Sequence, residues 1–248
     1  MMIAEKNTMK ISIATWNMDS WKRNQEQRKA AWRYLTETIS PDIALLQECV
    51  PPAKTDEDSK IIYQKIGGKR NWGSAVVTQE FPIQELEIKS SYLGALLGAE
   101  VTLPDESLIS VISLYGLIDE DGYATTTLHR MLSDLTPLLH GRMGKRLFIM
   151  GGDYNVSTQW DEKYKNRDPS HRIFFERLED FGLVNCTYKY FQSHVQTNRH
   201  PRSKTPWQND YIHASKKISD RLVSCEVIDD SEIYEYSDHN PVIAIFDL

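Results

Sequence analysis

Short apolar runs recur along this chain, and several stop at a residue that carries an amide, carboxylate or imidazole. Ile43-Ala44-Leu45-Leu46 runs into Gln47-Glu48, and Leu147-Phe148-Ile149-Met150 runs into Gly151-Gly152-Asp153-Tyr154-Asn155. Apolar runs of about four to eight residues, bounded by turn residues, fit strands buried in a core better than helices. Strands are predicted on this basis at residues 11–16, 43–46, 73–78, 108–117, 147–150, 210–213 and 242–246. Helical spacing appears between them. Residues 24–39 place Ala31, Tyr34, Leu35 and Thr38 on one face, with Pro41 after the end. Residues 125–139 read as a second helix. Residues 169–181 read as a third, with Ile173, Phe174, Arg177 and Leu178 on one face and Gly182 as the stop. Many strands with a few helices between them predict an α/β protein of two packed sheets flanked by helices.

Composition narrows the class. The 248 residues hold 29 Lys and Arg against 35 Asp and Glu, a net charge of −6, and 10% are aromatic. That excludes a disordered or collagen-like chain. The acidic total argues against a non-specific nucleic-acid coat, although a total does not describe a site. No apolar run reaches the ~18 residues of a membrane span, and residues 1–10 show no apolar signal core. A cytoplasmic protein without a membrane partner is expected. Cys49, Cys186 and Cys225 are too few and too scattered for a disulfide framework or a zinc knuckle. No repeat or linker interrupts the pattern, so a short extension at residues 1–10 and one domain at 11–248 are expected.

The polar residues at the strand ends form the chemical signal. Asn17, Glu48, Asp153, Asn155, Asp210 and Asp238 offer hard oxygen ligands, with His239 beside the last. Such a set suits Mg²⁺ or Mn²⁺ rather than a thiolate-loving metal. Each residue alone also has a structural reading. Asn17 and Asp153 fit turns, His239 fits a buried, satisfied imidazole, and Tyr115 fits core packing.

Six stretches carry a resemblance: Thr15-Trp16-Asn17, residues 41–48 ending in Gln47-Glu48, Gly73-Ser74-Ala75-Val76-Val77, Gly152-Asp153-Tyr154-Asn155, Asp210-Tyr211-Ile212 and Ser237-Asp238-His239-Asn240-Pro241. In this order they resemble the endonuclease/exonuclease/phosphatase superfamily, which includes the exonuclease III type of AP endonuclease and DNase I. The resemblance implies a four-layer α/β sandwich of two mostly antiparallel sheets flanked by helices, with the site at one end of the sheets. It implies Mg²⁺ or Mn²⁺ held chiefly by Glu48, with Asn17 and Asp238 assisting. It implies that Asp153 and Asn155 orient water or phosphate, that His239 faces the scissile phosphate and is held by Asp210, and that Tyr115 contacts phosphate.

A metal-dependent phosphoesterase follows, with a nuclease acting on DNA or RNA preferred. A phosphatase of a small phosphate or an inositol-like headgroup is the alternative, and a non-catalytic binding module on the same fold is the second. One charge feature bears on the choice. Residues 186–217 hold six Lys and Arg against one Asp, and residues 219–248 hold one Arg against eight acids. Arg199, Arg202 and Lys204 lead into Trp207, so this loop is a candidate clamp on a polyanion, with Trp207 stacking on a base. The other reading is a solvated loop with Trp207 covering the core.

Overall fold

The computed structural model describes residues 9–52, 60–118, 120, 122–140 and 147–248. Most of the expected extension, residues 1–8, lies outside them. The chain runs through β1 (Lys10–Asn17), α1 (Gln25–Arg33), β2 (Ile43–Cys49), β3 (Ile61–Lys65), β4 (Gly73–Thr78), β5 (Ile83–Leu86), β6 (Leu96–Thr102) and β7 (Leu108–Leu114). It continues through α2 (Thr125–Asp134), α3 (Thr136–Leu139), β8 (Leu147–Asp153), α4 (Thr158–Lys163), α5 (Ser170–Asp180), β9 (Leu183–Asn185) and α6 (Cys186–Phe191). It closes with β10 (Asp210–Ser215), α7 (Lys216–Ser219), β11 (Leu222–Val227), α8 (Ile233–Tyr236) and β12 (Val242–Asp247).

Two six-stranded sheets result. One has the order β11-β12-β1-β2-β4-β3 and the other β5-β6-β7-β8-β10-β9. Each holds a single parallel pair, β1 with β2 and β7 with β8, among antiparallel neighbours. The parallel pairs follow from the helices between their strands, because a parallel return needs a crossover.

Side-chain alternation builds the layers. On β1, Ile11 and Ile13 point between the sheets, where they meet Ile43 and Leu45 of β2 and Val111, Ile149 and Ile212 of the second sheet. The other parity of the first sheet, Trp16, Ala44, Leu46 and Ala75, packs under Ala31, Trp32 and Leu35 and under Ile233 of α8. Ile112, Phe148, Met150 and Tyr211 of the second sheet pack under Leu128 and Met131 of α2 and Phe174 and Leu178 of α5. The protein is therefore a four-layer α/β sandwich with three apolar seams.

Several predicted elements change. The first helix ends at Arg33 and continues as a wide π turn, Tyr34–Ile39, closed by Ser40 in the left-handed region. The wider turn shifts the facing register, so Thr38 is exposed and Trp32 is buried. Residues 125–139 divide at Leu135 into α2 and α3. On α5 the buried face is His171, Phe174 and Leu178, and Ile173 is 42% exposed. The run at 108–117 leaves the sheet at Leu114, whereas the run at 147–150 stays in it to Asp153.

Candidate active site

Alternation also assembles the site. Asn17 continues the inward set of β1, Asp153 that of β8 and Asp210 that of β10. All three reach the same end of the inter-sheet seam. Asp153 and Asp210 are partners in the antiparallel ladder. The Asn17 amide donates to Asp153 Oδ2 at 2.8 Å and so joins the two sheets. Beneath them lies a buried polar layer: Gln47 donates to Ser113 at 2.9 Å, and Ser113 donates to the Leu46 carbonyl at 2.9 Å. β8 can lie this close to β7 because residue 152 is glycine. A Cβ there would sit 1.7 Å from the Leu114 carbonyl oxygen.

The loop before β12 docks onto this floor. Ser237 Oγ donates to the Asn17 carbonyl at 2.7 Å and accepts from the His239 amide at 2.9 Å. Trp16 Nε1 donates to the His239 carbonyl at 3.1 Å. The imidazole is thereby held with Nδ1 2.8 Å from Asp210 Oδ2 and Nε2 3.8 Å from Asp153 Oδ2. Burial works against its charge, but the Asp210 and Asp153 carboxylates outweigh it and push its pKa up to about 10. The Asn198 carboxamide lies 2.8 Å from Nε2. A carboxamide can turn either end to a ring nitrogen, and to a charged imidazole it presents its oxygen. Burial raises the Asp153 carboxyl, whereas His239 and the Asn17 and Asn155 hydrogen bonds pull it back. Asn155, in the left-handed region, donates its amide to the Gly116 carbonyl at 3.1 Å.

A second acidic group lies alongside. Glu48 leaves β2 through an irregularity in the β2–β4 register and has a positive φ of 45°. Its carboxylate accepts from Trp21 Nε1, and the Tyr115 side chain is hydrogen-bonded to it. Burial and the Glu48 and Asp153 charges push the Tyr115 phenol well up. Asp19 is 1% exposed, and its backbone N–H donates to Asn17 Oδ1 at 3.0 Å. Burial and the Asp238 charge, with a smaller contribution from Glu48, raise the Asp19 carboxyl to about 6. Lys22 Nζ bridges the pair, 3.2 Å from Asp19 Oδ1 and 3.1 Å from Asp238 Oδ2. Asp238 is also buried, yet His239 and Lys22 keep its carboxyl below the usual range.

Asn17, Glu48, Tyr115, Asp153, Asn155, Asp210, Asp238 and His239 thus belong to one neighbourhood. The basic loop divides. Arg199 bonds the Asn240 side chain and the Ser237 carbonyl, and its guanidinium lies 3.5 Å from the centre of the Tyr234 ring. It anchors the His239 loop. Arg202 and Lys204 are exposed. Trp207 is half-buried, with Nε1 donating to Ser203 at 3.0 Å and Lys163 Nζ 5.4 Å from its ring centre.

Sequence reasoning missed Asp19, Trp21, Lys22 and Asn198. A signal for Asp19 existed: Asn17-Met18-Asp19 reverses the order of Asp153-Tyr154-Asn155. In both, the backbone N–H of the third residue bonds the side chain of the first. Asn198 had none, because its contact with His239 spans 41 positions.

No protein-family model and no curated protein sequence matches the chain. Solved structures do. An AP endonuclease from Archaeoglobus fulgidus is 21% identical, with a TM-score of 0.71 over 96% of this chain and 100% of that one. A 3′ phosphatase, NExo, from Neisseria, bound to product DNA hairpin, is 17% identical, with a TM-score of 0.70 over 96% and 100%. The endonuclease domain of TRAS1, a telomere-specific non-LTR retrotransposon, is 16% identical, with a TM-score of 0.69 over 97% and 99%. At these identities the likeness establishes a shared fold, the DNase I-like sandwich. Among the described residues no helix is long and apolar enough to cross a membrane.

Proposed function

We propose that this chain is a metal-dependent phosphoesterase that hydrolyses phosphodiester bonds in nucleic acid. The observation that carries the reading is a charged imidazole, His239, held between Asp210 and Asp153 beside the separate acidic group of Asp19, Glu48 and Asp238. Function does not follow from the fold alone. The names of the fold neighbours, an AP endonuclease, an endonuclease domain and a phosphatase with a DNA product, agree with what the site can do.

The residues fit a hard divalent cation. The carboxylates of Asp19, Glu48 and Asp238 repel one another, and the Lys22 ammonium already stands between two of them. Glu48, Asp19 and Asp238 would hold Mg²⁺ or Mn²⁺. Asn17 is engaged with Asp153 and the Asp19 amide, so it orders these residues and adds at most a remaining lone pair. Asp153, Asp210 and His239 also lie close enough for a cation. There, however, the 2.8 Å Asp210–His239 contact is a hydrogen bond, and the proton supplies the positive charge. Bound at the first group, the metal neutralises a phosphate oxygen and stabilises charge that develops during attack.

The chain's own groups do the rest. Asp153, with Asn155 beside it, orients the attacking water and takes its proton. His239 donates through Nε2–H to a phosphate oxygen. Asp210 holds the ring and its proton. Tyr115 positions Glu48 and donates toward the phosphate. The test is cleavage of DNA, RNA and phosphomonoesters with Mg²⁺, with Mn²⁺ and with excess chelator. Cleavage of nucleic acid that chelator abolishes is expected, and Asp153→Asn should slow it by about 10²–10⁴. Full activity in chelator would overturn the metal assignment. Cleavage of monoesters only would replace the nuclease with a phosphatase.

A further inference from the structure

Beside Glu48 and Tyr115 the surface opens into a cleft of about 510 Å³. Its walls include Trp21, Trp72, Arg28, Lys69 and Arg70. Trp21 is 54% exposed, although its Nε1 is held by Glu48, so the indole projects over the cleft with its edge fixed. Trp72 packs edge-on against Tyr115, with ring centres 5.3 Å apart, and Arg70 lies 5.8 Å from the Trp72 ring centre. Lys69 and Arg70 stand on the turn between β3 and β4, where Gly68 takes a positive φ of 76°. Arg28 is held through Nε by the Ser20 carbonyl at 2.7 Å, which leaves its terminal nitrogens free to face the cleft. No Asp or Glu among the described residues pairs with any of these three cations. The only carboxylate in the wall is Glu48, at the end nearest the proposed metal.

We infer that this cleft binds one nucleoside of a polynucleotide strand, and that Lys69, Arg70 and Arg28 bind the phosphate next to the scissile one. The inference rests on the proposed phosphoesterase reading and deepens it: the substrate carries at least two phosphates on one strand. Three unpaired cations beside a single carboxylate suit an anion. Cations interleaved with aromatic rings suit a strand whose bases are open to stacking. A single small phosphate would occupy the Glu48 end and leave the cations without a partner. None of these cations lies in a stretch that pointed to the site from sequence.

The test separates binding from cleavage. A short fluorescent single strand is titrated by anisotropy in excess chelator at several salt concentrations. The double variant Lys69→Ala, Arg70→Ala uses exposed residues on a turn, so folding is preserved. It should flatten the slope of log affinity against log salt by about 0.7 for each phosphate contact removed. Trp21→Ala should weaken binding about tenfold, in line with the loss of one stacked base. With metal present, the rate ratio of oligonucleotide to bis(p-nitrophenyl) phosphate should fall about tenfold or more in the double variant. An unchanged slope together with an unchanged ratio would overturn the inference. If the wild-type protein cleaves neither compound, the phosphoesterase reading fails, and the anisotropy still decides whether the cleft takes a strand.

Discussion

Asp210 has one carboxylate oxygen on His239 and another that is buried without a hydrogen-bond partner. Its charge therefore depends on the imidazole. Removing one member of a buried ion pair leaves the other uncompensated, at a cost of about 3–5 kcal/mol. His239→Ala should lower stability by that order in urea denaturation. Adding Asp210→Asn should recover part of the loss. Turnover should behave alike: the double variant should be scarcely slower than His239→Ala, because residues that act as a unit are not additive. Additive losses in kcat would give Asp210 a role of its own. The same residues show what a single sequence reveals. Asn17, Glu48, Asp153 and Asp210 were legible because each stands at an end of an apolar run whose parity can be counted. Asp19 and Asn198 lie on irregular segments, where no period says which way a side chain points.

At the scale of elements, β8 and β10 carry two constraints that can be tested. Gly152→Ala would drive a methyl group into the Leu114 carbonyl, and backbone cannot yield as a side-chain tip does. A loss of at least about 3 kcal/mol, at the upper end of overpacking costs, is expected in thermal or urea unfolding. His213 of β10 is buried, and burial alone lowers its pKa to about 3. The Tyr154 hydroxyl lies 3.2 Å from its Nδ1. A depressed base makes stability full above the unfolded pKa near 6.5 and lost progressively as pH falls toward 3. Between pH 6.5 and 5 this one residue should remove roughly 1–2 kcal/mol. His213→Phe should show a shallower fall in urea midpoint over that interval, and an equal fall would reject the assignment. Elements were legible where burial was complete. β3 and β5 were not, because edge strands such as Ile83-Gln84-Glu85-Leu86 are wet on both sides and lose their apolar rhythm. The π turn was hidden because Tyr34 to Ile39 keep a helical composition while the backbone widens.

At the scale of the molecule, the seam between the sheets determines whether the site exists, since Asn17 and Asp153 meet across it. Leu45, fully buried there, contacts the position that Gly151 leaves open. Leu45→Ala should cost about 2–5 kcal/mol, read in urea denaturation. Removal of Mg²⁺ from the wild-type protein should lower its melting temperature as well as its activity, because a ligand that binds only the folded state stabilises it.

The pairing of β1 with β12 has a temporal consequence. Lys10 is matched with Asp247, and His239 stands on the loop that leads into that last strand. During synthesis β1 waits for its partner while nearly the whole described chain is made. Such distant pairings are slow and come late. A ribosome-bound chain arrested before residue 239 would carry Glu48, Asp153 and Asp210 yet lack the imidazole and the strand that seats it. A nuclease built this way stays silent beside the messenger that encodes it until its final strand is in place.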